Sequence, residues 1–340
     1  MKALIFQKNL KVVNEEKRMD LTLTREGLEA VEDALIAAID SEVELLNDAS
    51  RHILMSGGKH LRPHIAMLSY LAVGGEDLLE AVPMAAAIEM VHTATLVHDD
   101  INDHSLLRRG RPSVHARWGR TFALLTGDYM FAKVYELMAP YGPTYNVIMA
   151  DACCRLVEGE TLQAVAAKAG EIDRETYKRI VSLKTASLFE ASARMGALIG
   201  GGNPREVDAL AEYAYNLGIA FQVVDDILDV VGDPTALGKP VGTDLSQGRG
   251  AFVAQGERAI LTLQPTAEAV AVAEALAVVD EDDPIARMMA KLRNSGAIEL
   301  ARLQAEEMVA RARRAIEPIG PSAARDELEA LTNLVLERDR

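Results

Sequence analysis

The sequence predicts an all-α fold, and two observations carry this prediction. Aromatic residues make up only 4% of the 340 residues, while Ala, Leu, Glu and Arg recur throughout, a composition that favours helices over sheets. From about Thr24 onward, amphipathic stretches of helical length alternate with short punctuation such as Gly57-Gly58 and the segment 200–204. No linker divides the chain, so we predict an N-terminal lead at 1–20 and one helical domain over 21–340.

The net charge of −15, from 51 acidic and 36 basic residues, argues against a nucleic acid partner because acidic surfaces repel phosphate backbones. The two cysteines, Cys153 and Cys154, are adjacent, which excludes a disulfide framework and suits a reduced compartment. The N-terminus does not have the pattern of a secretory signal, and no run of about 18 apolar residues predicts a membrane span. We therefore expect a soluble, cytoplasmic protein.

The clearest single element is a helix that begins with Asn203 as N-cap and Pro204 in its first turn and ends near Gly232. Two carboxylates, Asp225 and Asp229, lie on or beside its apolar stripe. Burying an uncompensated charge is costly, so something must neutralise them. The stripe itself consists of Val207, Leu210, Ala214, Leu217, Phe221, Val224 and Leu228.

A second helix is predicted from about Leu78 to Asp103. One of its faces is apolar near the start and becomes polar and finally acidic towards the end, which predicts an apolar slot with a metal-binding mouth. The residues on this face, spaced by three or four, are Ile88, His92, Thr95, Asp99 and Asp103.

The acidic residues of these two helices have the spacing of a metal site. Asp99 and Asp103 stand four residues apart, as do Asp225 and Asp229. Ligands that offer only oxygen suit magnesium, which keeps several waters and takes further oxygens from substrate phosphate. One acidic pair would indicate only a solvated helix face, but two similar pairs associated with apolar stripes favour metal binding.

Basic residues supply candidate diphosphate ligands. Lys59 and Arg62 follow a Gly-Gly turn, and Arg108 and Arg109 follow the first acidic pair. Taken alone, both groups equally fit ordinary exposed turns. Lys239 could be a diphosphate ligand or an ordinary loop lysine. Three polar residues in apolar helices could likewise be ligands or core polar groups with satisfied hydrogen bonds: Lys184, Thr185 and Gln222.

Together these segments resemble the trans-isoprenyl diphosphate synthases, in the order typical of that family and across about residues 50–250. The segments are Gly57–Pro63, His92–Asp103, Arg108–Gly110, Thr126–Asp128, Lys184–Ala186, Phe221–Asp229 and Gly238–Asp244. The run Gly248–Gln255 departs from the family pattern, which leaves the closing of that loop over the site undecided. The resemblance implies a single large helical bundle of the isoprenoid synthase type with a central active-site cavity, and a homodimer.

The resemblance also implies residue roles. Asp99 and Asp103 bind two magnesium ions and Asp225 a third, about three ions per site, with Asp229 completing the metal-binding group. The allylic diphosphate is held by Arg108, Lys184, Gln222 and Lys239, and isopentenyl diphosphate by Lys59, Arg62, His92 and Arg109. Dipoles near Lys184, Thr185 and Gln222 stabilise the allylic cation.

Product length is predicted from the side chains before the first acidic segment. Ala94 and Thr95 stand five and four residues before Asp99, where enzymes of the farnesyl type carry aromatic rings, and Val91 is also of modest size. We therefore expect a product longer than fifteen carbons, of C20 or more. Met130 or Phe131 is the expected floor of the tail site.

Two alternatives remain at this point. A class I terpene cyclase on the same fold ionises a diphosphate without isopentenyl diphosphate, and so does not need Lys59, Arg62 and Arg109. A non-catalytic subunit of a heteromeric prenyl diphosphate synthase typically lacks one acidic segment, whereas both are complete here.

Overall fold

The computed structural model describes residues 23–169, 173–231 and 296–338. Lys239, the segment Gly248–Gln255 and the predicted lead at 1–20 lie outside these ranges. The prediction of one domain over 21–340 therefore stays a prediction.

Within the described ranges the chain forms twelve α-helices, one 3₁₀ turn, one π-helical segment and one short hairpin. The helices are α1 (Arg25–Ala38), α2 (Glu44–Leu54), α3 (Leu61–Ala72), α4 (Val82–Asn102), α5 (Val114–Trp118), α6 (Arg120–Met138), α7 (Pro143–Ala169), α8 (Arg174–Val181), α9 (Ser187–Ile199), α10 (Pro204–Val231), α11 (Ala297–Ala315) and α12 (Ala323–Leu336). The 3₁₀ turn is Leu78–Glu80 and the π-helical segment is Ser182–Ala186. The prediction of an all-α fold is confirmed.

The start of α10 follows the sequence prediction closely. The Asn203 side chain accepts hydrogen bonds from the backbone amides of Arg205 (3.0 Å) and Glu206 (3.1 Å). The Glu206 carboxylate accepts in return from the Asn203 amide at 2.9 Å. This reciprocal arrangement satisfies amides that have no partner inside the helix, and it fixes the N-terminus of α10.

The start of α4 differs from the prediction. The helix begins at Val82 rather than near Leu78, because Asp77 caps a separate 3₁₀ turn by accepting from the Leu79 amide at 2.9 Å. Pro83 then occupies the first turn of α4, where its missing N–H costs no hydrogen bond.

The hairpin follows α4 and consists of β1 (Leu107–Arg108) and β2 (Arg111–Pro112), paired antiparallel. Its two turn residues, Arg109 (φ 51°) and Gly110 (φ 74°), both have positive φ, which a tight two-residue turn of this hand requires. Such a conformation is unusual for arginine, and it orients Arg109 towards the loop before α3.

Two hydrophobic clusters form the core. One is built mainly from α3, α8, α9, α10, α11 and α12, and the other from α1, α2, α3, α4, α6, α7 and α9. Helices α3 and α9 contribute to both clusters and pack against each other between them. Helix α4 packs along α6, and α10 packs along both α9 and α11. None of the described helices is long and apolar enough to cross a bilayer.

Candidate active site

Three carboxylates lie at the C-terminal end of α4. The carbonyls of a helix C-terminus carry partial negative charge, so acids here need a compensating cation. Asp100 is fully buried, and Arg108 donates from Nε (3.0 Å) and Nη2 (2.5 Å) to its Oδ1. Asp99 and Asp103, the predicted metal ligands, are partly exposed. Asp100 thus anchors Arg108 and leaves the two predicted ligands accessible.

A second set of three carboxylates lies in the last two turns of α10. Asp225 is the most exposed of them, at 39%, and Arg338 Nη2 lies 2.8 Å from its Oδ1. Asp226 and Asp229 are buried. The sequence predicts Asp225 and Asp229 on or beside the apolar stripe. In the structure, Asp229 and Asp226 are the most buried of the three carboxylates.

Asp226 belongs to a buried hydrogen-bond chain that orients Gln222. Thr185 Oγ1 donates to Gln222 Oε1 at 2.9 Å, and Gln222 Nε2 donates to Asp226 Oδ1 at 3.0 Å. The Tyr177 hydroxyl donates to Asp226 Oδ2 at 2.5 Å. Burial and the charge of Asp226 raise the pKa of Tyr177 well above its usual value, so this hydroxyl remains a donor. Both ends of the Gln222 amide are therefore determined by their partners.

Lys184 and Thr185 lie on the π-helical segment between α8 and α9. One extra residue per turn widens the helix there, a feature that often marks functional sites. The segment packs against Gly159 of α7: a Cβ on this glycine would lie 2.6 Å from the Lys184 backbone nitrogen and 2.9 Å from Leu183 Cβ. The sequence did not predict this bulge, because it depends on packing between α7 and the segment.

The Lys184 ammonium lies among acceptors from two helices. It contacts the Glu160 carboxylate, and it lies 3.4 Å from Gln163 Oε1 and 3.8 Å from Asp99 Oδ2. The next residue, Thr185, donates a hydrogen bond to Gln222 of α10. Lys184 and Thr185 therefore connect the acidic end of α4 with the acidic end of α10. Sequence reasoning missed Glu160 and Gln163, which lie in the middle of a long helix without a distinguishing pattern.

The carboxylates fit magnesium. Across 23–169, 173–231 and 296–338, no three Asp, Glu, His or Cys side chains come close enough to hold a metal by themselves. Magnesium suits such a site because it keeps several waters and takes phosphate oxygens as further ligands. Asp99 and Asp225 both have a side-chain cation nearby, Lys184 and Arg338 respectively, so both positions accept positive charge.

A basic cluster, defined by Lys59, Arg62, Arg109, His60 and His92, lies between the loop before α3, the hairpin and α4. Arg62 places its guanidinium 4.7 Å from the Phe189 ring centroid, and burial lowers its pKa to about 10. Its Nε atom has no hydrogen-bond partner among the described residues. Arg109 Nη1 lies 3.4 Å from Ser56 Oγ in the same loop. The charges of Arg62 and Arg109 both act on His92, so these three predicted isopentenyl diphosphate ligands lie near one another.

The basic cluster rests on a buried carboxylate that sequence reasoning missed, Glu89 of α4. Glu89 Oε1 lies 3.2 Å from His60 Nδ1. Although burial alone would raise the pKa of Glu89, its contact with His60 and the charges of His60, His92 and Arg62 lower it to about 2. Burial, together with the charge of Arg62, lowers the pKa of His92 to about 3, so the His92 side chain is neutral at pH 7.

Arg338, just after α12, was also missed by sequence reasoning. Its guanidinium lies 4.3 Å from the Phe221 ring centroid as well as on Asp225. Burial lowers the pKa of Lys59, and the charge of Arg338 lowers it further, so these two cations lie near each other. An arginine near the C-terminus reads in sequence as a solvated charge, and only the packing of α12 reveals its neighbours.

The predicted chain-length residues lie between α4 and α6. Val91, Ala94 and Met130 are fully buried in one hydrophobic cluster. Thr95 is buried and donates to the His92 carbonyl at 2.7 Å, while the Phe131 ring stacks with His98 at 5.9 Å between centroids. Of the predicted site residues, only Lys239 lies outside the described ranges.

Comparisons with known proteins identify the family of this chain. A family model for polyprenyl synthetase matches residues 43–261. The short chain isoprenyl diphosphate synthase of Methanothermobacter thermautotrophicus is 37% identical over 314 residues, which cover 88% of this chain and 92% of that protein. The octaprenyl diphosphate synthase of Escherichia coli is 33% identical over 333 residues, which cover 98% of this chain and 100% of that protein.

Among solved structures, the polyprenyl synthase from Caulobacter crescentus, complexed with calcium and isoprenyl diphosphate, superposes with a TM-score of 0.84. It is 30% identical, and the match covers 94% of this chain and 96% of that one. The family model matches more than half of the chain, and the relatives align over nearly all of it. The chain therefore belongs to the polyprenyl synthetase family.

Proposed function

We propose that this chain condenses isopentenyl diphosphate with an allylic prenyl diphosphate, head to tail and in the trans configuration, to give a longer polyprenyl diphosphate. The observation that carries the proposal is the convergence of two acidic helix ends on Lys184 and Thr185, with the basic cluster beside them. The Caulobacter relative was solved with calcium and isoprenyl diphosphate, a divalent cation and a ligand of the proposed class.

In this proposal one group of residues binds the allylic diphosphate and another binds isopentenyl diphosphate. Arg108, Lys184 and Lys239 hold the allylic diphosphate, together with Gln222. The basic cluster holds isopentenyl diphosphate with paired cations and the neutral His92. Asp99, Asp103 and Asp225, with Asp229 in support, would hold about three magnesium ions, which would supply Lewis-acid charge to the leaving diphosphate.

Two further residues have a proposed role in the step that follows ionisation, when the allylic cation has formed. The Thr185 hydroxyl and the Gln222 amide provide dipoles beside the allylic cation. Their hydrogen bonds to each other and to Asp226 hold these dipoles in fixed orientations, so they need not reorganise during the reaction. The isopentenyl double bond attacks the cation, and we expect the released diphosphate to take the proton lost on bond formation.

The basic cluster distinguishes this proposal from a terpene cyclase. A cyclase takes no isopentenyl diphosphate, so it has no use for Lys59, Arg62 and Arg109. A cyclic hydrocarbon formed from an allylic diphosphate alone would favour the cyclase. A recombinant protein that is inactive until a partner chain is added would favour the non-catalytic subunit, although both acidic segments are complete.

The metal mechanism predicts that Asp99→Ala lowers kcat by about a hundredfold or more, because charge on the leaving diphosphate is no longer neutralised. A chelator should abolish turnover of the wild-type protein, and added Mg²⁺ should restore it. Turnover is measured with labelled isopentenyl diphosphate. Asp48→Ala, at an exposed aspartate on α2, is the matched control and should keep wild-type turnover. Activity that survives in chelator would contradict the proposal.

For product length we propose C20 or longer, because Ala94, Thr95 and Val91 have small or modest side chains where the resemblance places the growing tail. The relatives include a short chain and an octaprenyl synthase, so family membership alone does not choose. We expect Ala94→Phe to shorten the products, since an aromatic ring would add bulk at the position proposed to limit the tail. Chromatography of products from several allylic starters measures this. Farnesyl diphosphate as the only wild-type product would contradict the small-residue argument.

A homodimer is proposed from the exposed apolar faces of α6 and α7. Buried residues such as Ala123 and Met130 lie on one side of α6, yet large apolar residues are also exposed elsewhere on the helix. Exposed apolar patches mark interaction sites, and a second copy would cover these residues. The exposed residues are Phe122, Leu124, Leu125 and Tyr135 on α6, and Val147, Val157 and Val165 on α7.

A further inference from the structure

We infer that Glu160 is a positioning residue that holds the Lys184 ammonium away from Asp99, so that Asp99 stays available to a divalent cation. This inference rests on the proposed function, in which Asp99 is a metal ligand. It concerns a residue of α7 that belongs to neither acidic helix end.

The position of Glu160 follows from the backbone contact beside it. Gly159 has no side chain, so α7 packs directly on the backbone of Lys184. The residue after Gly159 is thereby brought to the Lys184 side chain. Both Glu160 and Lys184 have side chains that are 21% exposed, so their contact is largely shielded from water. A charge pair in this setting is screened less than one on the open surface.

The distances show which carboxylate the ammonium prefers. Lys184 Nζ has three N–H groups to place. It contacts Glu160 and lies 3.4 Å from Gln163, whereas Asp99 lies 3.8 Å away, beyond hydrogen-bond distance. Without Glu160, Asp99 becomes the nearest carboxylate among these neighbours. A direct pair between Lys184 and Asp99 would then compete with a divalent cation for the same oxygen atoms.

The test measures binding of Mn²⁺ alone to the purified, full-length protein by electron paramagnetic resonance, without substrates. We expect Glu160→Ala to weaken Mn²⁺ binding by about fivefold, within the range in which contacting charged groups couple. Glu160→Gln, which keeps the shape and a hydrogen-bond acceptor, should weaken it less. Lys184→Met should not weaken it, because the competing ammonium is gone.

The double variant separates positioning from simple charge. If Glu160 acts through Lys184, then Glu160→Ala has no further effect on Mn²⁺ binding in the Lys184→Met background. An equal loss in both backgrounds would mean that Glu160 attracts the cation directly, and would overturn the inference. So would unchanged binding in Glu160→Ala. Glu158→Ala, at an exposed glutamate of the same helix, is the charge-matched control and should bind as the wild type does.

Asp99→Asn keeps this inference distinct from the proposed function. Loss of Mn²⁺ binding in Asp99→Asn with normal binding in Glu160→Ala would overturn only the role of Glu160. Binding that is unchanged in Asp99→Asn would instead contradict the proposed metal site itself. Binding that is absent from the wild type would overturn the inference, because Asp99 would then not be available to a cation before substrate binds.

Discussion

His64 is a titratable side chain that is completely buried away from the candidate active site. Its Nδ1 shares a hydrogen bond with Thr24 Oγ1 at 2.7 Å. Burial lowers its pKa to about 4. An unfolded chain takes up a proton near pH 6.5, whereas the folded chain does so only near pH 4. The unfolded state therefore binds more protons between these values, and stability falls as the pH falls through this window.

We predict that His64→Gln removes this part of the acid sensitivity. The wild-type free energy of unfolding should fall between pH 7 and pH 4.5 by about 2 kcal/mol more than that of the variant. Urea unfolding at the two pH values measures the difference. His104→Asn, at an exposed histidine with positive φ, should retain the wild-type pH dependence. Parallel curves for wild type and His64→Gln would contradict the prediction.

At the scale of elements, the π-helical segment is the feature on which most of the site depends. It carries Lys184 and Thr185, and its geometry requires a residue without Cβ at position 159. A methyl group there would meet the Lys184 backbone nitrogen at 2.6 Å, and backbone cannot move aside as a side chain can.

We predict that Gly159→Ala lowers kcat by about tenfold or more by displacing Lys184, since small misplacements of positioning groups have large effects on rate. Its free energy of unfolding should fall by up to about 2 kcal/mol, because overpacking costs about 1–3 kcal/mol and the better helix propensity of alanine returns about 1 kcal/mol. Steady-state kinetics and thermal unfolding measure the two effects. Gly142→Ala, where nothing lies within 4 Å of the new methyl group, should be neutral. Wild-type kinetics in Gly159→Ala would show that the contact is not required.

At the scale of the whole molecule, the apolar faces of α6 and α7 predict a mass of twice 36.8 kDa by light scattering. The double variant Leu125→Glu/Tyr135→Glu should have a single-chain mass at the same concentration, because four new carboxylates would face one another across a symmetric interface. Leu303→Glu, at a leucine of α11 that is also exposed, should leave the mass unchanged. A wild-type mass of one chain would contradict the proposed dimer.

Features that depend on residues close together in sequence were predicted better than features that depend on the surrounding structure. The helix that begins at Asn203 was predicted to within a residue, because its cap is local chemistry. The start of α4 was placed too early, since the 3₁₀ turn capped by Asp77 has the same apolar composition as the helix that follows. The family and the all-α fold were predicted correctly from motifs and composition.

The sequence by itself predicted the chemical type of the site: two acidic segments, a glycine turn with Lys59 and Arg62, and a basic turn with Arg108 and Arg109. It also located the start of the helix at Asn203, because capping involves residues a few positions apart. The tertiary structure alone decided which acids face inward, pairing Asp100 with Arg108 and Asp226 with Tyr177. Only packing could reveal Glu89, Glu160 and Arg338, since each acquires its role from partners distant in sequence, and those pairings exist only after the helices assemble.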